Sequence, residues 1–70
     1  MNTERLKNTR NSRDKSCEVK YHAIEIAMAL EVYYWTGKPF HFFEAISHIE
    51  SLISETAKMQ EIYNKEVKNA

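Results

Sequence analysis

Apolar side chains recur every three or four residues along the C-terminal half of the chain. The series with this spacing is Phe42, Ile46, Ile49, Ile53, Thr56, Gln60, Tyr63 and Val67. Such spacing places the series on one side of an α-helix and matches the heptad pattern of coiled coils. The opposite side carries mainly Glu, Ser and Lys. We therefore predict an amphipathic helix over about residues 40–68 with one buried stripe. This stripe is the broad apolar arc that the series forms together with Ala45, Leu52, Ala57 and Met59.

The preceding segment carries two apolar stripes instead of one. The first contains Cys17, Tyr21, Ile24, Met28, Val32 and Trp35, and the second contains Val19, Ala23, Ile26, Ala27, Leu30, Tyr33 and Tyr34. Because this segment has no Gly or Pro, we predict one helix over about residues 16–36. One covering helix hides only one stripe, and we expect Cys17 to be buried at the start of the first. A large exposed apolar patch is uncommon on a soluble monomer, so the second stripe predicts a partner chain.

The only glycine and the only proline of the chain, Gly37 and Pro39, separate these two helices. Glycine suits the left-handed position just past a helix end, and proline suits the first turn of the next helix. We predict a turn over residues 37–39 and antiparallel pairing of the helices. The predicted fold of residues 16–70 is all-α, a two-helix hairpin that oligomerisation or a partner completes into a helical bundle. The second helix is longer than the first, so its last two turns have no partner in the hairpin. We expect the N-terminal arm or another molecule to cover them.

Residues 1–15 have a different composition from the rest of the chain. They carry five Lys and Arg against two Asp and Glu, whereas the remainder carries five against eight. This basic arm has little apolar surface to bury, so we predict that it is flexible. Its candidate nucleic-acid contacts, through phosphate groups, are Arg5, Lys7, Arg10, Arg13 and Lys15. The simpler interpretation is a solvated tail.

Aromatic residues cluster around the turn. Six of the eight fall within eleven residues, namely Tyr33, Tyr34, Trp35, Phe40, Phe42 and Phe43. One interpretation is a local core that closes the end of the hairpin. The other is a binding surface, because Trp and Tyr dominate the energetics of protein interfaces. Together with part of the second stripe they give the candidate partner-binding residues Ile26, Leu30, Tyr33, Tyr34, Trp35, Phe40 and Phe43.

The sequence lacks the patterns typical of enzymes. It has no Gly-rich phosphate loop and no nucleophile motif, and two helices offer no ligand-sized cavity. The pair His22 and Glu25, and the series His41, Glu44 and His48, have spacings known from metal sites. Neither gathers enough ligands on one face of a helix. We expect no catalytic residues, cofactor, metal or small-molecule substrate.

The length of the chain limits the stability of a lone fold. A chain of 70 residues and 8.3 kDa buries too little surface for a secure single core. Its single cysteine excludes an internal disulfide. The longest apolar run, residues 26–30, is too short to span a membrane, and no apolar leader opens the chain. We therefore expect a cytoplasmic protein that depends on other chains, with no membrane contact.

The layout of two helices, a Gly37-x-Pro39 turn and surrounding aromatic residues resembles the small co-chaperones of type III secretion needle subunits. It is also similar to the hairpin dimers of plasmid copy-number regulators that bind RNA. The likeness covers residues 17–67 and concerns helix pattern and turn. We expect a non-enzymatic protein–protein interaction module: an adaptor, chaperone or inhibitor-type regulator, phage-, plasmid- or secretion-associated, that binds itself as a homo-oligomer or binds another protein. The alternative is a dimeric nucleic-acid-binding regulator that uses the basic arm, and a third option is an assembly subunit.

Overall fold

The computed structural model describes residues 9–68, which form two long α-helices and no strand. Helix α1 spans Arg10–Thr36 and helix α2 spans Pro39–Lys68. Contacts between the start of α1 and the end of α2 show that the helices run antiparallel. The all-α hairpin predicted from the sequence is confirmed for this part of the chain. Arg5 and Lys7 lie outside the described residues.

Helix α1 begins at Arg10, nearly two turns before the predicted start at about residue 16. Its first turn is held from the other end of the chain. The Glu66 carboxylate accepts hydrogen bonds from the backbone N–H groups of Asn11 and Ser12, each at 2.8 Å. The first N–H groups of a helix have no partner within the helix, so this carboxylate acts as a cap supplied by α2. Residues 10–15, predicted to belong to a flexible arm, are therefore helical and cover the end of α2.

The turn has the geometry that its residues predict. Gly37 ends α1 in the left-handed conformation, with φ 67° and ψ 9°, and its N–H donates to the Tyr33 carbonyl at 2.7 Å. The Thr36 hydroxyl donates to the Val32 carbonyl at 2.9 Å. Pro39 then occupies the first position of α2, where its missing N–H costs nothing.

We expect Gly37→Ala to destabilise the hairpin by about 1 kcal/mol, because L-residues with a Cβ disfavour a left-handed backbone. A Cβ at Gly37 would meet no atom within 4 Å, so backbone strain alone causes the loss. Urea unfolding followed by circular dichroism measures it. Gly37→Asn is the matched control, with a smaller loss expected because asparagine enters this region more readily. Equal stability of the alanine variant and the wild type would contradict this account of the turn.

The helices meet along a narrow line of alanine, polar and half-buried aliphatic side chains, which we call the seam. Its members are buried or half-buried and recur every three or four residues: Ser12, Lys15, Val19, His22, Ile26 and Ala29 on α1, and Ala45, His48, Leu52, Glu55, Met59, Ile62 and Glu66 on α2. The buried hydrophobic residues are Ala29, 4% exposed, and Ala45, 1% exposed. No large side chain in the described part of the chain is fully buried. The hairpin alone therefore has very little core.

The seam is narrower than the apolar arc that the sequence predicts for α2. It keeps Ala45, Leu52 and Met59 from one edge of that arc, while Ile53 near the middle of the predicted series is exposed. On α1 it takes Ile26 from the second stripe and leaves the first stripe exposed, including Cys17. The physical reason is the close approach that alanine allows, since small side chains let two helix backbones come near each other. The bulkier series on each helix are left outside.

The hairpin has the shape of a flat plate. The Cα positions extend 49 × 21 × 11 Å, with a radius of gyration of 15.9 Å. A compact domain of this length has a radius of gyration of about 11 Å. The plate therefore presents two broad sides, one on each side of the seam.

Candidate partner-binding surface

The position of the seam fixes what each broad side of the plate carries. Each residue advances about 100° around a helix, so residues directly after a seam residue flank it on one side. Because the helices are antiparallel, these flanks lie on the same side of the plate for α1 and α2. Residues directly before a seam residue flank it on the other side. The two sides can therefore be identified from the sequence once the seam is known.

One broad side lacks charged side chains over most of its area, and we call it the uncharged face. It consists of Ala23, Ala27, Leu30 and Tyr34 on α1, and Ile46, Ile49, Ile53, Thr56, Gln60, Tyr63 and Val67 on α2. Ile53, near its middle, is 66% exposed. Arg13 and Lys20 of α1 directly follow the seam residues Ser12 and Val19, so they lie on the same side of the plate toward the N-terminus, and Glu31 stands at its outer edge toward the turn. The surface is thus broad, apolar and accessible.

The opposite broad side is polar. Residues directly before the seam include Asp14, Glu18, Glu25, Glu44, Ser47, Ser51, Ser54, Lys58 and Lys65, together with the exposed Tyr21 and Met28 of α1. Apart from those two, such a composition is typical of a solvated surface. The plate therefore has a mainly apolar side and a mainly polar side.

The aromatic residues at the turn form only a partial core. The Tyr33 and Phe42 rings meet across the two helices, with centroids 5.5 Å apart. The Tyr34 and Trp35 rings contact each other edge to face at 5.1 Å, and Trp35 is nevertheless 75% exposed. One pair of rings thus closes the hairpin, while Trp35 and Phe40 stay accessible.

The candidate partner-binding residues from the sequence do not form one patch. Ile26 lies half-buried in the seam, and Tyr33 packs on a ring of α2. Leu30 and Tyr34 belong to the uncharged face. The remaining three, Trp35, Phe40 and Phe43, are exposed around the turn and point away from that face by their helical positions. Sequence reasoning missed the exposed residues of α2, above all Ile49, Ile53, Tyr63 and Val67, because it treated their spacing as the sign of burial.

Charged groups tie the two chain ends of the hairpin together. Lys15 Nζ contacts Glu18 at 2.6 Å and also forms an ion pair with Glu55, which Lys58 approaches at 3.2 Å. Hydrogen bonds to Glu18 and then to Glu55 raise the pKa of Lys15 above 10.5. Those from Lys15 and then Lys58 lower the pKa of Glu55 below 4.5. The ion pair between Lys15 and Glu55 links the first half of α1 to the second half of α2.

The Glu66 carboxylate experiences two opposing effects. Partial burial raises its pKa, but the hydrogen bonds that it accepts from Asn11 and Ser12 outweigh burial. The net result is a pKa below 4.5. The charged form of Glu66 is therefore the form that the hairpin holds.

The candidate nucleic-acid contacts are not equivalent in the structure. Arg10 and Arg13 are exposed on the first turn of α1. Lys15 is half-buried and has carboxylates on two sides. Since its charge is already neutralised, Lys15 is a weak candidate for a phosphate contact.

The histidines face each other across the seam rather than gathering around a common point. The rings of His22 and His48 have centroids 6.2 Å apart. Within residues 9–68, no three His, Cys, Asp or Glu side chains come together in a way that could hold a metal ion. Neither described helix carries an apolar stretch long enough to cross a bilayer.

Known proteins provide no template for the uncharged face. The inference of function therefore depends on the geometry and chemistry of the described residues. Comparison with protein-family models, with curated proteins and with solved structures gives no match to this chain.

Proposed function

We propose that this chain is a non-enzymatic protein–protein interaction module, a helical hairpin that works by associating through its exposed apolar surface. The observation that carries the proposal is the contrast between its core and its surface. The buried hydrophobic residues are two alanines, while fifteen large hydrophobic side chains are exposed among the described residues. Adaptors, chaperones and inhibitor-type regulators are the classes of protein that fit this description.

The energetics support association. Burial of apolar surface contributes about 25 cal/mol for each Å² removed from water. Two alanines provide little such area, and a small scaffold whose single cysteine excludes an internal disulfide depends on extra packing. A partner that covers Leu30, Ile53 or Trp35 supplies the burial that the hairpin lacks. Binding and folding of this chain are therefore energetically coupled.

The aromatic residues around the turn form a second exposed apolar patch, separate from most of the uncharged face. Trp35 and Tyr34 are the most exposed of the large hydrophobic residues, and these residue types dominate binding hot spots. The turn lies at an end of the plate, where neither helix shields it. We propose that these rings anchor a protein partner at that end.

The alternative of a nucleic-acid-binding regulator gains no support from the described residues. Lys15 is held in ion pairs with Glu18 on the polar side of the plate and with Glu55 in the seam. Arg5 and Lys7 lie outside the described part of the chain. Deletion of residues 1–13 followed by binding assays at several salt concentrations is the direct test of this alternative.

We expect the full chain to associate with itself or with another protein. Leu30→Asp should weaken that association at least about 30-fold, because it buries a charge in an apolar contact. Trp35→Ala tests the turn end separately. Light scattering over a concentration series measures the mass. Fluorescence of Trp35, the only tryptophan, reports whether the turn end is covered.

Tyr21→Ala is the matched control, since Tyr21 is an exposed aromatic residue outside both parts of the surface. It should leave association unchanged. Unchanged association in both Leu30→Asp and Trp35→Ala would contradict the surface assignment. A monomer that unfolds cooperatively at every concentration, with ordinary stability, would contradict the proposed function itself.

A further inference from the structure

The hairpin exposes more surface than a folded monomer of its mass. Its accessible area is 5697 Å². A monomeric protein of 8.3 kDa exposes about 4,600 Å². The excess of about 1,100 Å² is comparable to the roughly 800 Å² that each partner buries in a stable protein interface. One further interface would therefore bring the chain to the surface area of an ordinary folded protein.

The uncharged face has the size for such an interface. The two longer extents of the plate are 49 and 21 Å, which gives a broad side of about 1,000 Å². Residues of this face run along nearly the whole of α2, from Ile46 to Val67, and along α1 from Ala23 to Tyr34. Most of a broad side is thus available for one contact.

The charge distribution favours a second copy of this chain as the occupant. A twofold interface sets a surface patch against the same patch of another copy, so a charge near the twofold axis meets the same charge of the other copy. The uncharged face avoids this repulsion, whereas the polar side, with Glu18, Glu25 and Glu44, does not. At the edge of the uncharged face, Lys20 and Glu31 have opposite signs and lie toward opposite ends of α1. Two copies that run in opposite directions place Lys20 of one toward Glu31 of the other.

We propose that the uncharged face is a homodimer interface and that two hairpins pack through it as an antiparallel four-helix bundle. This inference rests on the proposed function and names a second copy of this chain as the partner. In the bundle, the side chains of Leu30 and Ile53 lie in a common core between the two plates. Trp35 and Phe43 stay outside it, because their helical positions face away from the uncharged face. The dimer therefore displays two aromatic turn ends to other proteins.

Sedimentation equilibrium on the full chain tests the proposal with two neighbouring substitutions. We expect the wild type to sediment as a dimer, at twice 8.3 kDa. Ile53→Glu should raise the dimer dissociation constant at least about 30-fold, because it buries a charge in the interface. Ser54→Glu is the matched control, since it adds the same charge at the next position of α2, on the polar side. Its dissociation constant should equal that of the wild type.

A second measurement uses only the wild type, so that the test does not depend on a variant that fails to fold. The melting temperature of a dimer rises with protein concentration, whereas that of a monomer does not. Quenching of Trp35 fluorescence by acrylamide should stay as efficient in the dimer, because the turn end stays exposed even though the neighbouring Tyr34 ring enters the interface. A rise in melting temperature with constant quenching of Trp35 supports the uncharged face independently of any substitution.

The outcomes separate this inference from the proposed function. A wild type that sediments as a poorly folded monomer overturns the homodimer and leaves a different protein as partner. A dimer that Ile53→Glu leaves intact and Trp35→Ala disrupts overturns the uncharged face as its interface, while the interaction module stands. A stable, cooperatively folding monomer overturns both.

Discussion

Ala45→Leu is expected to push the two helices apart and to lower the free energy of unfolding by about 1–3 kcal/mol, because a larger side chain does not fit a closed contact. Ala45 is 1% exposed and Ala29 is 4% exposed. Each lies eight residues from Gly37, so the two alanines stand at the same level of the antiparallel pair. A hairpin of this size has about 3–5 kcal/mol at most. The substitution therefore removes much of its stability, which urea unfolding followed at 222 nm measures.

Ala57→Leu is the matched control for this prediction. Ala57 lies on the same helix but is exposed on its outer side, where an added side chain meets no neighbour. Leucine and alanine are both good helix formers, so the control should unfold within about 0.5 kcal/mol of the wild type. Equal losses in the two variants would mean that the alanine contact does not determine how closely the helices approach.

Acid is expected to loosen the chain ends of the hairpin before the turn. Glu55 and Glu66 both have a pKa lowered from 4.5 in the folded chain. A lowered pKa means that the stabilisation is fully present above pH 4.5 and is lost as the pH falls through the lowered value. Protonated Glu66 also ceases to be a charged cap for the start of α1. The urea midpoint should fall steadily between pH 5 and pH 2, with amide protection at residues 10–15 lost first.

The double variant Glu55→Gln/Glu66→Gln should show a flatter dependence on pH, because it lacks the two carboxylates that titrate. Glu61→Gln, on an exposed position of α2, should keep the wild-type dependence. If the double variant and the control lose stability with the same slope, other groups cause the acid sensitivity. On the alkaline side, the raised pKa of Lys15 means that its contribution is present below pH 10.5 and is lost as the pH rises through the raised value.

The helices and the turn could be predicted because their signals are local. Gly37 and Pro39 specify the end of one helix and the start of the next by backbone geometry alone. The start of α1 had no local signal, since the group that caps it, Glu66, is 55 residues from Asn11. A carboxylate so far along the chain becomes a cap only after the helices have paired.

The seam could not be predicted because α2 contains two series with the same spacing. One runs through Ala45, Leu52 and Met59, and the other, one residue later, through Ile46 and Ile53. Both belong to the predicted apolar arc, and hydrophobicity alone centres that arc on the second series. The structure pairs the first series with α1 and leaves the second for the uncharged face. In α2 the most apolar positions are thus a poor guide to the contact that the helix makes within the hairpin.

The order of contacts along the hairpin has a consequence for how the chain folds. The Tyr33 and Phe42 rings close a short loop, whereas the contact between Asn11 and Glu66 closes one of 55 residues. The entropy lost on closing a loop grows with its length, but each pair of turns formed shortens the loop left for the next. Folding that starts at the aromatic turn can therefore advance toward the chain ends, one helical turn after another. The contact of Glu66 with the start of α1 forms last, so the chain ends form last on folding and open first on unfolding.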